Sequence, residues 1–160
     1  MKNAKVVASV ITALLLIAGL ATAQAVVTPY TATEIPVALI DPGTTTHPDG
    51  NTHIRGLTAL YTRKASDPRV SGGTVRWVIN YNLDATLNGP IWGSGSWENG
   101  GGSWEDTLQG SINRGTGVGH YDAVWHGSGD FEGLQLKETC VYTGTPVGSC
   151  TGRILQPNSK

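Results

Sequence analysis

Three titratable side chains are the first candidates for chemistry in this sequence. His120 and Asp122 stand two positions apart in a segment that alternates like a β-strand, so their side chains share one face, and Glu138 falls in the next predicted strand. An imidazole beside carboxylates could transfer protons or hold a metal ion. Exposed polar alternation is also the normal state of an antiparallel sheet. The alternative is therefore that this polar face meets water.

A second group of carboxylates accompanies two tryptophans. Glu98, Glu105 and Asp106 lie close in sequence to Trp97 and Trp104. A glycosidase needs two carboxylates at its scissile bond, and aromatic rings can stack on sugars. Adjacent residues of a strand point to opposite faces, however, so Glu105 and Asp106 could not act together. We favour the interpretation that the tryptophans are core residues and that Glu98 and Glu105 face solvent.

Tryptophan is abundant, with five residues against one phenylalanine. Its large apolar area and single N–H donor suit a core, a pocket wall or a stacking surface for sugars. Gly93, Gly95, Gly110 and Gly119 lie inside predicted strands, where they add no packing volume. If two or more of them face the interior, they open a space there. The residues that we expect to bind a ligand in such a space are Trp77, Trp92, Trp104, Tyr121 and Trp125.

The elements that must position these residues are β-strands. Val75, Trp77, Ile79, Tyr81 and Leu83 recur at every second position, which predicts one inward row of a strand. Asn88-Gly89 predicts the hairpin turn that follows it. Similar segments, separated by Gly-rich turns, give eight strand candidates: 34–40, 53–63, 75–83, 90–97, 104–112, 118–125, 134–141 and 150–155.

Short strands joined by tight turns form an antiparallel meander, which must protect its edges by closing or by folding into two layers. The sequence therefore predicts an all-β protein with eight antiparallel strands, which form either a small antiparallel eight-stranded β-barrel or a β-sandwich. Pro36 marks its strand as an edge or an entry segment, because proline cannot donate to a ladder. An eight-stranded barrel either fills with side chains or holds one small ligand.

The N-terminus has the three-part pattern of a secretory signal. Lys2 and Lys5 precede an apolar run over 6–20, and small residues follow at Ala21 and Ala23. We predict a signal peptide over 1–23, with cleavage after Ala23 or Ala25, and secretion to an extracellular or periplasmic location. Residues 24–48 then form an N-terminal arm and first strand, and 49–160 form the barrel domain.

The charge and the cysteine content limit the kinds of partner that we expect for this chain. Without Lys2 and Lys5, nine basic residues stand against twelve acidic ones and are scattered, so we predict no nucleic-acid partner. Cys140 and Cys150 of an exported chain predict a disulfide across a hairpin loop. The pair lacks the close spacing of a zinc site. We predict no metal and no cofactor.

Several stretches resemble an uncharacterised family of small exported bacterial proteins. They are His53-Ile54-Arg55-Gly56, Asp67-Pro68-Arg69-Val70-Ser71-Gly72, Asn82-Leu83-Asp84-Ala85, Gly89-Pro90-Ile91-Trp92-Gly93, Gly102-Ser103-Trp104-Glu105-Asp106-Thr107, His126-Gly127-Ser128-Gly129 with Glu132-Gly133-Leu134, and Gly152-Arg153-Ile154-Leu155. The family's pattern is similar to the barrels of the allene oxide cyclase and dirigent type. That resemblance implies an eight-stranded antiparallel barrel with a cavity, and it transfers no catalytic residue.

Three functions are compatible with these features. The first is a secreted barrel that binds a small apolar or aromatic ligand without turnover. The second is an isomerase or cyclase of the allene oxide cyclase barrel type, with acid–base help from His120, Asp122 or Glu138. The third is a glycan-binding module with exposed tryptophans. The position of each side chain, inside or outside the barrel, decides among them.

Overall fold

The computed structural model describes residues 25–157, and the predicted signal peptide lies outside them. The strands are β1 (Val26–Asp41), β2 (Thr44–Thr46), β3 (Thr52–Ala65), β4 (Thr74–Leu83), β5 (Asn88–Glu98), β6 (Gly102–Asn113), β7 (Val118–Gly129), β8 (Gln135–Thr143) and β9 (Gly148–Gln156). Two short 3-10 turns occupy Pro48–Gly50 and Pro68–Val70. Within residues 25–157, no helix has the length and apolarity needed to cross a membrane.

The strands form one antiparallel sheet in which β3 to β9 pair in chain order. The first part of β1 pairs with β9 through Val26–Glu34, and its second part pairs with β3 through Ala32–Asp41. These two pairings close eight strands into a ring, and the short β2 pairs with β3 beside it. The all-β antiparallel fold with eight ring strands is therefore confirmed. Closure protects the sheet edges, as the sequence argument required.

The strand β1 is longer than predicted. The sequence assigned a strand only to 34–40, within an arm of 24–48, whereas Val26–Asp41 is one continuous ring strand. Pro36 lies beyond Glu34, where the pairing with β9 ends, and it is opposite Tyr61 of β3. The register to β3 shifts between Pro36 and Ala38. The proline thus lies where β1 has a neighbour on one side only.

The strand β4 has the predicted inward row. Val75, Trp77, Tyr81 and Leu83 are buried, and Ile79 is half-buried in the same row. The predicted turn at Asn88-Gly89 is wrong. Those residues open β5, and the chain turns over 84–87 instead.

Local hydrogen bonds explain the position of this turn. The Asp84 carboxylate accepts bonds from the backbone N–H groups of Thr86 and Asn88, at 2.8 and 3.0 Å. Leu87 adopts a positive φ of 62°, a conformation that leucine rarely takes. An Asx turn that begins at Asp84 has replaced the turn that the Asn-Gly pair indicated.

The predicted disulfide between Cys140 and Cys150 is present and links β8 to β9. The two residues are directly opposite each other in the ladder, and both side chains are buried. The loop 144–147 connects the strands beyond them. The bridge therefore fixes the register of this hairpin from inside the ring.

One end of the ring is closed by the connection between β3 and β4. Val70, in the turn Pro68–Val70, is fully buried. The side-chain NH2 group of Asn99 lies within hydrogen-bond distance of the carbonyls of Pro68, Arg69 and Ser71, at 3.3, 2.9 and 3.1 Å. The indole N–H groups of Trp97 and Trp104 donate to Gly72 and Arg69 carbonyls. We call this the closed end.

The four glycines that the sequence analysis placed inside strands lie on inward positions. Gly93 and Gly95 alternate with Ile91 and Trp97, Gly110 follows Leu108, and Gly119 precedes Tyr121 in the same rows. A Cβ on Gly93 would meet the carbonyl oxygen of Val78, and one on Gly110 would meet that of His120. The neighbouring backbones therefore approach too closely for a side chain. These four glycines face the interior, but neighbouring backbone and side-chain atoms fill the space beside them.

Candidate functional site

A cavity of about 440 Å³ opens at the end of the ring opposite the closed end. The turns after β4, β6 and β8 surround this open end. The walls combine tyrosine rings, one tryptophan and aliphatic side chains, with Arg114 at the rim. The ring and aliphatic residues that line it are Tyr61, Trp77, Ile79, Tyr81, Ile91, Leu108, Ile112, Tyr121 and Tyr142.

Two tyrosines of the cavity wall bind the same buried carboxylate. The hydroxyl of Tyr121 donates to Oε2 of Glu34 at 2.6 Å, and the hydroxyl of Tyr142 donates to the same oxygen at 3.3 Å. Glu34 reaches this position from β1, where it shares an inward row with Tyr30 and Ala32. The other oxygen, Oε1, has no hydrogen-bond partner among the described residues. A carboxylate thus lies directly behind the wall of the cavity.

Glu34 belongs to a buried ionic cluster at the centre of the ring. The guanidinium of Arg63 forms two hydrogen bonds to the carboxylate of Glu138, at 2.9 and 2.5 Å, and lies 3.5 Å from Oε1 of Glu34. Tyr30 and Trp125 also donate to Glu138, at 2.9 and 2.7 Å. We call Glu34, Arg63 and Glu138 the ionic cluster. None of its side chains reaches solvent.

The cluster perturbs the ionisation of its members in opposite directions. Burial raises the pKa of Glu34 to about 6, against the lowering effect of Arg63. Burial also acts to raise the pKa of Glu138, but the charge and hydrogen bonds of Arg63 outweigh it and hold that pKa below its usual value. Burial and the Glu34 charge raise the pKa of Tyr121 well above its usual value. At neutral pH two carboxylates therefore share one guanidinium, while Tyr121 remains a phenol.

A third buried carboxyl lies outside this arrangement. Asp106 on β6 is 6 % exposed and faces Gly95, where a Cβ would lie 2.6 Å from its Oδ1. Neither carboxyl oxygen has a hydrogen-bond partner of good geometry among the described residues. Burial raises the pKa of Asp106 to about 8. The negative charges of Glu138 and Glu34 add to this increase, whereas the Gly95 amide and the charge of Arg63 act against it. Asp106 is therefore mainly protonated at neutral pH.

The acid–base candidates named from the sequence do not come together. His120 and Asp122 are exposed on the outer face of β7, and Asp122 accepts a hydrogen bond from Thr139 there. His126 is also exposed. Glu138 alone points inward, into the ionic cluster. The polar face of β7 therefore meets water, which was the alternative interpretation.

The carboxylates near the tryptophans also separate. Glu98 and Glu105 are exposed, whereas Asp106 is buried. Trp97 and Trp104 pack in the core with ring centroids 6.3 Å apart. These residues do not form the carboxylate pair beside a sugar platform that a glycosidase requires.

The five residues expected to bind a ligand divide into three groups. Trp77 and Tyr121 line the cavity. Trp104 and Trp125 are fully buried and do not line it. Trp92 lies on the outer face, 37 % exposed, with the guanidinium of Arg55 4.9 Å from its ring centroid. The other four tryptophans are buried, so the described residues contain no group of exposed tryptophans.

One close group of potential metal ligands is found within residues 25–157. It consists of the Glu34 carboxylate and the sulfurs of Cys140 and Cys150, all within 4.8 Å of one another. Both sulfurs belong to the disulfide, so neither is a thiolate that could bind zinc. The chemistry of this donor set does not fit a metal.

Sequence reasoning missed Glu34, Arg63, Tyr142 and Arg114. A signal for the first two was available in the alternation of their strands. Glu34 continues the inward row of Tyr30 and Ala32, and Arg63 continues the row of Leu57, Ala59 and Tyr61. A charged residue in an apolar row indicates a buried polar group with partners. The partners themselves come from distant strands and could not be paired by sequence.

Comparison of the chain with protein-family models, with curated proteins and with solved structures finds no match. The resemblance to barrels of the allene oxide cyclase and dirigent type therefore stays a prediction. The features of this chain that bear on function are therefore the cavity and its walls.

Proposed function

We propose that this protein binds one small, largely apolar or aromatic molecule in the cavity at the open end. The observation that carries the proposal is the cavity itself, with a volume of about 440 Å³ and walls of rings and aliphatic side chains. Sites for small organic ligands have volumes of roughly 300–1,000 Å³, are mostly apolar and contain a few placed polar groups. Tyr121, Tyr142 and Arg114 supply polar groups of that kind here.

Burial of apolar surface provides the driving force. An aromatic ligand that covers the tyrosine and isoleucine walls removes both surfaces from water, at roughly 25 cal/mol per Å². The rings of Trp77 and Tyr121, whose centroids are 5.4 Å apart, meet edge to face and keep that part of the wall in place. Little of the wall has to be ordered on binding, which lowers the entropic cost.

The direct test is the binding of a neutral apolar dye, N-phenyl-1-naphthylamine, to the domain from Gln24 onward with its disulfide intact. We expect dye emission to rise and tryptophan emission to fall, with one site per chain. Ile112→Trp places a large ring in the cavity and should weaken binding at least tenfold. Val141→Trp, on an exposed position of β8, is the matched control and should leave binding unchanged.

Two results would overturn the proposal. One is the absence of saturable dye binding to the folded protein. The other is an equal effect of Ile112→Trp and Val141→Trp, since the dye would then be bound outside the cavity.

A second candidate is an isomerase or cyclase, as the expected barrel resemblance implies. The observation that favours it is the pair of phenols, Tyr121 and Tyr142, that connect the cavity wall to the Glu34 carboxylate. Phenol and carboxylate groups can act as general acid and base. Conversion of a bound compound that is lost in Glu34→Gln and retained in His120→Ala would assign this activity. Binding of a compound without its conversion supports the first candidate, a protein that binds a ligand without turnover.

A further inference from the structure

We propose that the cavity selects small organic carboxylates, which bind with the carboxylate at Arg114 and the apolar part inside. The inference rests on the proposed function and adds the charge and the orientation of the ligand. Three features carry it: an available guanidinium at the rim, hydrogen bonds that fix its backbone, and negative charge at the deep side of the cavity.

Arg114 has a guanidinium that is held in place but lacks an acidic partner. It lies over the ring of Tyr81, with Cζ 5.0 Å from the ring centroid, and both residues line the cavity. Within residues 25–157 the ion pairs involve Arg63 and Arg69, and none involves Arg114. A planar guanidinium that stacks on a ring keeps its N–H donors free for a carboxylate, which it can bind through two parallel hydrogen bonds.

Backbone hydrogen bonds hold Arg114 at the rim. Its N–H donates to the carbonyl of Leu87 at 2.9 Å, which joins the turn after β6 to the turn after β4. On the other side, the Gly117 N–H donates to the Asn113 carbonyl at 2.8 Å. The Gly144 N–H donates to the Gly117 carbonyl at 3.2 Å, which joins the turn after β8 to the turn after β6. All three turns of the open end are thus connected. A donor placed in advance in this way loses little freedom when it binds an anion.

The deep side of the cavity disfavours an anion. The ionic cluster behind it contains two carboxylates and one guanidinium, so it is negative whenever Glu34 and Glu138 are both ionised. The hydroxyl hydrogens of Tyr121 and Tyr142 are already donated to Glu34. These phenols can therefore offer a ligand only acceptor oxygens. A carboxylate pushed inward would meet repulsion without donors, whereas at the rim it meets Arg114.

The test uses three naphthalene probes of similar size that displace N-phenyl-1-naphthylamine from the protein. They are 2-naphthoate, neutral 2-naphthamide and the cationic 2-naphthylmethylammonium, measured at pH 7 and low salt. We expect the naphthoate to bind most tightly and the ammonium most weakly. Arg114→Gln should weaken naphthoate roughly tenfold, the effect of losing one charged hydrogen-bond pair, and should change naphthamide less than about twofold. Arg153→Gln, at an exposed position of β9, is the matched control and should change neither.

The outcomes separate this inference from the proposed function. Dye binding with equal affinity for the three probes leaves the cavity as a binding site and overturns the selection of anions. Equal weakening of naphthoate and naphthamide by Arg114→Gln also overturns it, because Arg114 would then act through its packing on Tyr81. Absence of dye binding overturns the proposed function and this inference together.

Discussion

The two ends of the ring are built from the same strands and differ in how their interiors are filled. At the closed end, Trp97, Trp104 and Phe131 stack on one another, and the connection between β3 and β4 covers them. At the open end, isoleucine, leucine and tyrosine side chains surround a cavity of about 440 Å³. The ionic cluster lies between these two regions.

This difference shows that strand number alone does not decide whether such a ring is solid. Eight strands leave an interior that bulky side chains can just fill. Tryptophans at inward positions fill it at the closed end, with a folded connection added on top. Smaller aliphatic residues such as Ile91, Leu108 and Ile112 leave it open at the other end. Side-chain size along each inward row therefore sets the position of the cavity.

Paired truncations at the two ends should give the largest contrast. Trp104→Ala removes a fully buried ring and leaves a void, so we expect it to lower the free energy of unfolding by about 3–5 kcal/mol. Ile112→Ala shortens a half-buried cavity-wall residue and should cost about 1–2 kcal/mol, the transfer free energy of a few methylene groups. Urea unfolding with the disulfide intact measures both. Equal losses would mean that the open end is packed as tightly as the closed end.

Removal of the Arg63 charge, which lies between the two ends, should lower the free energy of unfolding by a similar amount. Arg63→Met retains much of the side-chain volume but leaves Glu34 and Glu138 buried without a counter-charge. Breaking a buried ion pair from one side costs about 3–5 kcal/mol. Arg76→Met, on the exposed face of β4, is the control and should change the free energy of unfolding by less than about 0.5 kcal/mol. A loss below about 1 kcal/mol for Arg63→Met would show that the glutamates are protonated or hydrated in the variant.

Two asparagines, one at each end of the ring, provide a test with a smaller expected effect. Asn99 at the closed end lies within hydrogen-bond distance of three carbonyls of the connection between β3 and β4, so Asn99→Ala should cost about 1–3 kcal/mol. Asn88 at the open end bonds only the exposed Thr86 hydroxyl through its side chain, and Asn88→Ala should cost less than about 0.5 kcal/mol. Hydrogen exchange should show faster opening of the β3–β4 connection in Asn99→Ala. Unchanged hydrogen-exchange rates in the β3–β4 connection would show that Asn99 does not hold this connection in place.

Most of the fold could be predicted because alternation and turn residues are local signals. The row from Val75 to Leu83 places one face of β4 in the core, and the ring contains a strand for each of the eight predicted segments. The errors arose where a side chain changed the local geometry. Asp84 starts the turn before Asn88-Gly89, and β1 already begins at Val26, where the inward row of Tyr30, Ala32 and Glu34 is only partly apolar.

The candidate site was harder to predict, because it is assembled from distant strands. Glu34 and Tyr142 are 108 residues apart, and Arg63 and Glu138 are 75 apart. Alternation tells which residues of a strand share a face but not which face is inside. For β7 the polar row with His120 and Asp122 faces outward and the row with Tyr121 faces inward. Only ring closure and register define the contacts of Tyr121 with Glu34.

The last contrast concerns two buried carboxyls and the pH dependence of stability. Glu138 is satisfied by Arg63, Tyr30 and Trp125, and its pKa is lowered. Asp106 lacks such partners, and burial raises its pKa to about 8 from 3.8. A carboxyl with a raised pKa holds its proton more tightly in the folded state. Asp106 therefore makes its full contribution to the free energy of unfolding below pH 3.8, the pKa of the unfolded state, and loses this contribution as the pH rises toward 8.

Asp106→Asn isolates this effect, because the amide has nearly the same shape and does not ionise. We expect the stability of the variant relative to the original protein to increase between pH 5 and pH 8.5 by at least about 1.4 kcal/mol, the equivalent of one pKa unit. The other titrating groups are common to both proteins, so the difference reports Asp106 together with its coupling to Glu34 and Glu138. The constant cost of burying an amide cancels, since only the change with pH is compared. Urea unfolding at pH 5, 6.5 and 8.5 measures it. Parallel curves over this range would show that Asp106 is already ionised in the folded protein, and the space beside Gly95 would then have to contain water that solvates it.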